Sequence, residues 1–184
     1  DDRRAFLAIA FDYAVVFAAA GLASWLHRAP VTLIAMVVIA GRQSALQGLV
    51  HSACHYSLFS KRERNEWLGF LFAYPILDSV DLYREQHIEH HRAFDLRTPD
   101  RFDYLLETLA LRQSRFWDRT WTVFVRPLLG HAGLVFLVDV IRTYRAHPPQ
   151  AARLMIFWAV LTTLAIATGC LVPFLVYWVL PLVW

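Results

Sequence analysis

Residues 5–26 carry one charge, Asp12, in 22 positions. An apolar run of that length crosses about 30 Å of hydrocarbon as a helix. It is too long for the apolar part of a secretory signal, and the Asp-Asp-Arg-Arg start is not a basic leader. The break His27-Arg28-Ala29-Pro30 follows, its proline suited to a helix start. A second run begins at 31 and turns polar at Arg42, Gln43, Ser44 and Gln47. It reads as one helix to about 57, spanning the bilayer over about 31–54 and emerging with His51 and His55. Residues 154–184 hold no charge in 31 positions, with Gly169 and Pro173 in the middle. They predict a helical hairpin turning near 168–173, with spans over about 152–168 and 172–184. Composition agrees: 58% of the chain is hydrophobic and 18% charged, against about 45–50% and about 25% in soluble domains. The expected fold is all-α, one integral-membrane domain over 1–184, with four transmembrane helices in two hairpins.

The charges collect between the hairpins. Residues 61–126 contain 11 of the 18 Lys and Arg and 11 of the 15 Asp and Glu. This places about 55–151 outside the bilayer as a histidine-rich helical cap, on the cytoplasmic side by the bias of basic residues. The apolar stretch 67–77 is too short to cross and is expected in the interface or under the fold. Residues 132–141 read as an interfacial amphipathic helix. A net charge of +3 with no basic stretch interleaved with aromatics argues against nucleic acid. Two distant cysteines, Cys54 and Cys170, form no disulfide framework and fit a reducing compartment.

Chemistry concentrates in two histidine clusters, His51-Ser-Ala-Cys-His55 and His87-Ile-Glu-His90-His91. The first pair has i, i+4 spacing and the second set i, i+3, i+4, so each shares one helical face. Neutral imidazole is the commonest metal ligand. Zinc fits the ligand type, but structural zinc sites take four ligands and often cysteine. Five histidines are more consistent with nitrogen ligation of two iron ions. Gln43, Gln47, His51 and His55 recur every four residues as a polar stripe that should face a site rather than lipid. The two amides are candidates to hold ligating rings, or else to join helices.

These residues resemble the integral-membrane fatty acid desaturase and hydroxylase superfamily, which includes beta-carotene ketolases and hydroxylases. Its first box, HxxxH, is matched by His51 and His55. Its second, HxxHH, is matched by His87, His90 and His91. Arg42 to His51, Tyr83-Arg84 and Thr98-Pro99-Asp100 fit the usual surroundings of the boxes. The resemblance covers essentially all 184 residues. It implies that His51, His55, His87, His90 and His91 ligate a non-haem di-iron centre at the cytoplasmic face of a bacterial inner or ER-like membrane. It implies an O2-dependent oxidoreductase introducing a double bond into a lipid acyl chain. The electron donor would be a ferredoxin, rubredoxin or cytochrome b5 with its reductase. A hydroxylase or ketolase on the same scaffold is the nearest alternative, and a non-catalytic membrane metal-binding protein the alternative from another class. Two departures stand out. Ser52 occupies a position where many relatives have Asp. No third box follows His91, since His131 and His147 lie outside such a pattern, so that box is expected beyond residue 184 in a longer chain.

Other residues carry weaker expectations. Asp12 is expected to bond between helices. Arg84 is expected either to pair with Asp81 or Glu85 or to bind an acidic head group. Glu89 is expected to form a salt bridge rather than bind iron, and His131 to be interfacial. The series Arg112, Arg115 and Arg119 faces solvent or lipid head groups, with an acidic electron donor as an alternative partner.

Overall fold

The computed structural model describes residues 2–96, 115–126 and 129–183. All the regular elements among them are helical. Three helices are long and apolar enough to cross a bilayer: α1 (Asp2–Leu26), α2 (Ala29–Cys54) and, later in the chain, the helix Pro148–Ala167. They turn large apolar side chains outward; Phe17, Trp25, Val37 and Ile156 are all more than 60% exposed. Such surfaces suit hydrocarbon rather than water. The buried side of α2 is a narrow helical stripe, Ile39, Gln43, Leu46, Val50 and Ala53, repeating at intervals of three and four.

α1 and α2 pack as a hairpin. The first turn of α1 meets the segment after α2, where the Ser60 backbone N–H donates to Asp2 Oδ1 at 2.6 Å and Arg64 pairs with Asp2. Within the hairpin, Asp12 is buried and accepts from Arg42 Nη1 at 3.1 Å. The interhelical bond expected of Asp12 is thus present.

After α2 the chain runs through α3 (Arg62–Trp67) into two 3₁₀ turns, Leu68–Leu71 and Tyr74–Ile76. This is the short apolar stretch, and it lies under the fold: Phe72 and Ala73 are wholly buried. Irregular backbone survives at such depth only when its polar groups find partners. Here they come from three helices. Tyr13 Oη donates to the Leu71 carbonyl (2.6 Å), Trp158 Nε1 to Tyr74 (2.9 Å) and Trp178 Nε1 to Pro75 (2.9 Å). Gly69 allows the close approach to the next helix, since a Cβ there would lie 2.7 Å from Val80 Cγ2.

α4 (Val80–Leu96) carries the second histidine cluster and packs on α2. A short segment, α5 (Phe116–Thr120), continues as a π turn through Val125. α6 (His131–Ala146) is an amphipathic helix over the stretch expected to be interfacial. α7 (Pro148–Ala167) follows directly, and the chain reverses at 168–170, where Gly169 takes φ +70°. It then folds back so that Phe174 meets Trp158, with ring centroids 5.9 Å apart. The last helix, α8 (Leu171–Val183), is apolar but shorter than a span normally requires. The reversal falls within the expected 168–173, and among the described residues a helix lies along each of the four predicted spans, three of them of spanning length.

Candidate metal centre

The two histidine clusters meet. The His51 ring lies 4.8 Å from that of His55 and 4.6 Å from that of His87. His55 Nε2 and His87 Nε2 are 2.9 Å apart, and His91 Nε2 is 3.0 Å from His87 Nε2. One ring nitrogen therefore faces two others, although it can hold only one proton. Two imidazole nitrogens bound about 2.1 Å from a common metal lie about 3–3.5 Å apart, so the spacing suits a shared cation. Ligand atoms from His51, His55 and His87 all fall within 4.8 Å of one another. His90 stands slightly apart, its ring 6.2 Å from His87 and 6.0 Å from His91.

The environment favours neutral rings. Partial burial, then the charges that His51, His91, His55 and His90 would carry, push His87 down to about 4. His55 is also lowered, by burial first and then by the charges that His51 and His91 would carry. Both present unprotonated nitrogen at neutral pH, the form a metal requires. Tyr83 stacks on His87 at 5.3 Å between centroids.

α4 is fixed to α2 by Arg84. Its Nε donates to the Cys54 carbonyl at 3.0 Å and its Nη2 to the Ala53 carbonyl at 3.3 Å. These carbonyls belong to the last turn of α2, where the helix dipole is negative, and Ala53 also accepts from the Tyr56 backbone N–H at 3.0 Å. The guanidinium also lies over the Tyr56 ring at 4.1 Å and within 3.7 Å of Glu66 and Asp81. The expected pairing with Asp81 is present. The larger role, holding one histidine helix against the other, has no signature in linear spacing.

The two glutamines part company. Gln47 donates to Asp78 Oδ2 at 2.9 Å and, like His87, lines a cavity between α4 and α6. Gln43 donates to the Trp178 carbonyl at 2.8 Å, which joins α2 to a π turn in α8. The helix-joining alternative describes its contact. Ser52 Oγ bonds back to the Gly48 carbonyl at 3.0 Å, so its hydroxyl is engaged within its own helix. Glu89 is exposed on α4. His131 begins α6, and His147 lies 3.8 Å from Glu85. Arg115 is exposed, whereas Arg112 and Thr98-Pro99-Asp100 lie outside the described residues, and for Arg119 only the backbone is described.

Sequence reasoning overlooked Asp78 and Tyr144. Asp78 follows Leu77, which takes a left-handed φ of 61°, and it accepts from the Ser79 backbone N–H at 2.7 Å. Tyr144 sits on the buried side of α6 and lines the same cavity. Neither belongs to a motif, and only their convergence on the histidine helix marks them.

A family model described as fatty acid desaturase matches residues 4–184. No curated protein matches the chain, and no solved structure does.

Proposed function

The chain belongs to the fatty acid desaturase family, and on that premise we propose that it is an integral-membrane, O2-dependent desaturase of lipid acyl chains. In this reading His51, His55, His87, His90 and His91 hold two iron ions. The convergence of three ring nitrogens at 2.9–3.0 Å, from histidine clusters separated by 31 residues of sequence, carries the reading. His90, outside the tight group, is the candidate to reach the second ion. Bound iron, supplied with electrons, brings the oxygen activation needed to remove hydrogen from an unactivated C–H bond.

The protein's own residues have simpler tasks. Neutral His55 and His87 present lone pairs rather than protons. Arg84 and Tyr83 fix the relative position and tilt of the two histidine helices. The cavity whose lining includes Leu82, Phe136 and Val140 with His87 and His90 is where an apolar chain would approach the rings. The histidine end faces the cytoplasm in this reading, where a soluble ferredoxin, rubredoxin or cytochrome b5-type donor can dock.

The test is metal and product analysis of the full-length protein. We expect about two irons per chain, and an O2- and reductant-dependent mass decrease of two hydrogens in a labelled acyl lipid. A product gaining oxygen instead would assign the hydroxylase chemistry. One zinc per chain with no product would favour a metal-binding protein without turnover.

A further inference from the structure

The first histidine helix ends on a strained residue. His55 closes α2, and Tyr56 after it takes a left-handed φ of 56°. The Tyr56 backbone N–H donates to the Ala53 carbonyl at 3.0 Å, and the Ser57 N–H to that of Ser52 at 2.9 Å. This pair of bonds ends many helices, usually with glycine at the left-handed position because a Cβ there is unfavourable. A side chain persists in that conformation where its surroundings hold it, and such residues gather at functional centres.

The contacts of the Tyr56 side chain show what holds it. Its hydroxyl donates to Glu66 Oε1 at 3.0 Å and accepts from Arg62 Nη2 at 3.0 Å, both on α3. The guanidinium groups of Arg62 and Arg84 lie over its ring, at 4.4 Å and 4.1 Å from the centroid. Arg84 reaches back to the Cys54 and Ala53 carbonyls and stands one helical turn before His87 on α4. The residue covalently next to His55 is thereby tied to the helix that carries His87, whose Nε2 lies 2.9 Å from that of His55.

We propose that Tyr56 is a positioning residue for the metal centre, setting where His55 stands relative to His87. The inference rests on reading these histidines as metal ligands, and it adds a residue that lies outside both clusters. Tyr56 acts through His55 on one side and Arg84 on the other, and its role needs no contact with metal or substrate. Glycine or asparagine would serve the turn at less backbone cost, so the turn alone does not call for tyrosine. The links to α3 and α4 do.

The test uses the purified full-length protein under anaerobic conditions. Fe(II) affinity is measured by chelator competition, and the visible absorption of bound Co(II) reports ligand geometry. Tyr56→Asn supplies a residue that tolerates the left-handed backbone and removes both ring and hydroxyl. It should weaken Fe(II) binding about 10-fold or more, as for other outer contacts of metal ligands, and alter the Co(II) spectrum. Tyr56→Phe keeps the ring beneath the two guanidinium groups and loses the hydroxyl bonds. It should weaken binding about 3-fold, a partial rescue. Trp178→Phe, whose lost bond lies at Pro75, is the control for general destabilisation. It should lower the melting temperature while leaving Fe(II) affinity and the Co(II) spectrum as in the wild type. Wild-type affinity in either Tyr56 variant, an unaltered Co(II) spectrum in Tyr56→Asn, or an equal loss of affinity in Trp178→Phe would each overturn the proposal. Should Tyr56→Asn fail to fold, the affinity of Tyr56→Phe decides. Wild-type protein that binds neither ion would overturn this role and the metal reading together. Two irons and a desaturated product, with affinity indifferent to Tyr56, would count against this role alone. Affinity that depends on Tyr56, without any O2-dependent product, would count against the desaturase reading alone.

Discussion

At the residue scale, the behaviour of the centre follows from crowding imidazoles. His87 faces two other ring nitrogens and is pushed down to about 4 from an ordinary 6.5. Its folded-state pKa lies below its unfolded one. Between those values the unfolded chain takes up a proton that the folded chain refuses. Metal-free protein should therefore hold its stability above about pH 6.5 and lose it progressively as the pH falls toward 4. Melting temperatures of chelator-treated protein across pH 7.5 to 4.5 check this, and a flat profile contradicts it. Bound metal should leave over the same acidic range, since protons compete for the same lone pairs. His90→Ala should lose about half the iron and nearly all turnover. Iron content and activity both unchanged would remove His90 from the ligand set. Arg84 acts through α2 rather than at the metal. Arg84→Gln should keep the fold while lowering metal affinity by about 10-fold, in line with losses seen for outer contacts of metal ligands, measured by chelator competition.

At the scale of elements, the buried 3₁₀ stretch holds α1, α7 and α8 together. Three side chains from those helices cap its carbonyls. Trp178→Phe keeps most of the apolar bulk but strands the Pro75 carbonyl. That should cost about 1–3 kcal/mol and lower the melting temperature by several degrees. Gly69→Ala should also destabilise, by about 1–3 kcal/mol from overpacking against Val80. The Asp12–Arg42 pair offers a sharper comparison. Asp12→Ala leaves a guanidinium partly buried among apolar helices, at a cost of about 3 kcal/mol. The double variant Asp12→Ala, Arg42→Ala should be more stable than Asp12→Ala alone, because it removes the orphaned charge. A double variant no more stable than the single would mean that the pair contributes little.

At the scale of the whole molecule, the chain should remain in the membrane after alkaline extraction, since three spanning-length helices expose apolar faces. Sidedness can be read from its own cysteines. Cys170 is exposed at the turn before α8, whereas Cys54 is buried at the end of α2 beside the histidines. If the histidine end faces the cytoplasm and α7 crosses the bilayer, an impermeant maleimide should label Cys170 from the outside of intact cells. Labelling only in inside-out vesicles would reverse the orientation or place Cys170 on the same side as the boxes.

Much of this was fixed by composition along the chain. Long uncharged runs admit few structures other than membrane helices, because hydrocarbon supplies no partners for backbone polar groups. Histidines spaced at one helical turn share a face whatever surrounds them, so the grouping of 51/55 and of 87/90/91 was legible as pattern. Contacts between distant segments were not. The seating of Arg84 on the Ala53 and Cys54 carbonyls depends on the angle between two helices. So do the bond from Gln43 to the Trp178 carbonyl and the burial of Tyr144 on α6. Periodicity reports which face of a helix is polar; only packing decides which neighbour that face meets and which of its groups is left to bind something else.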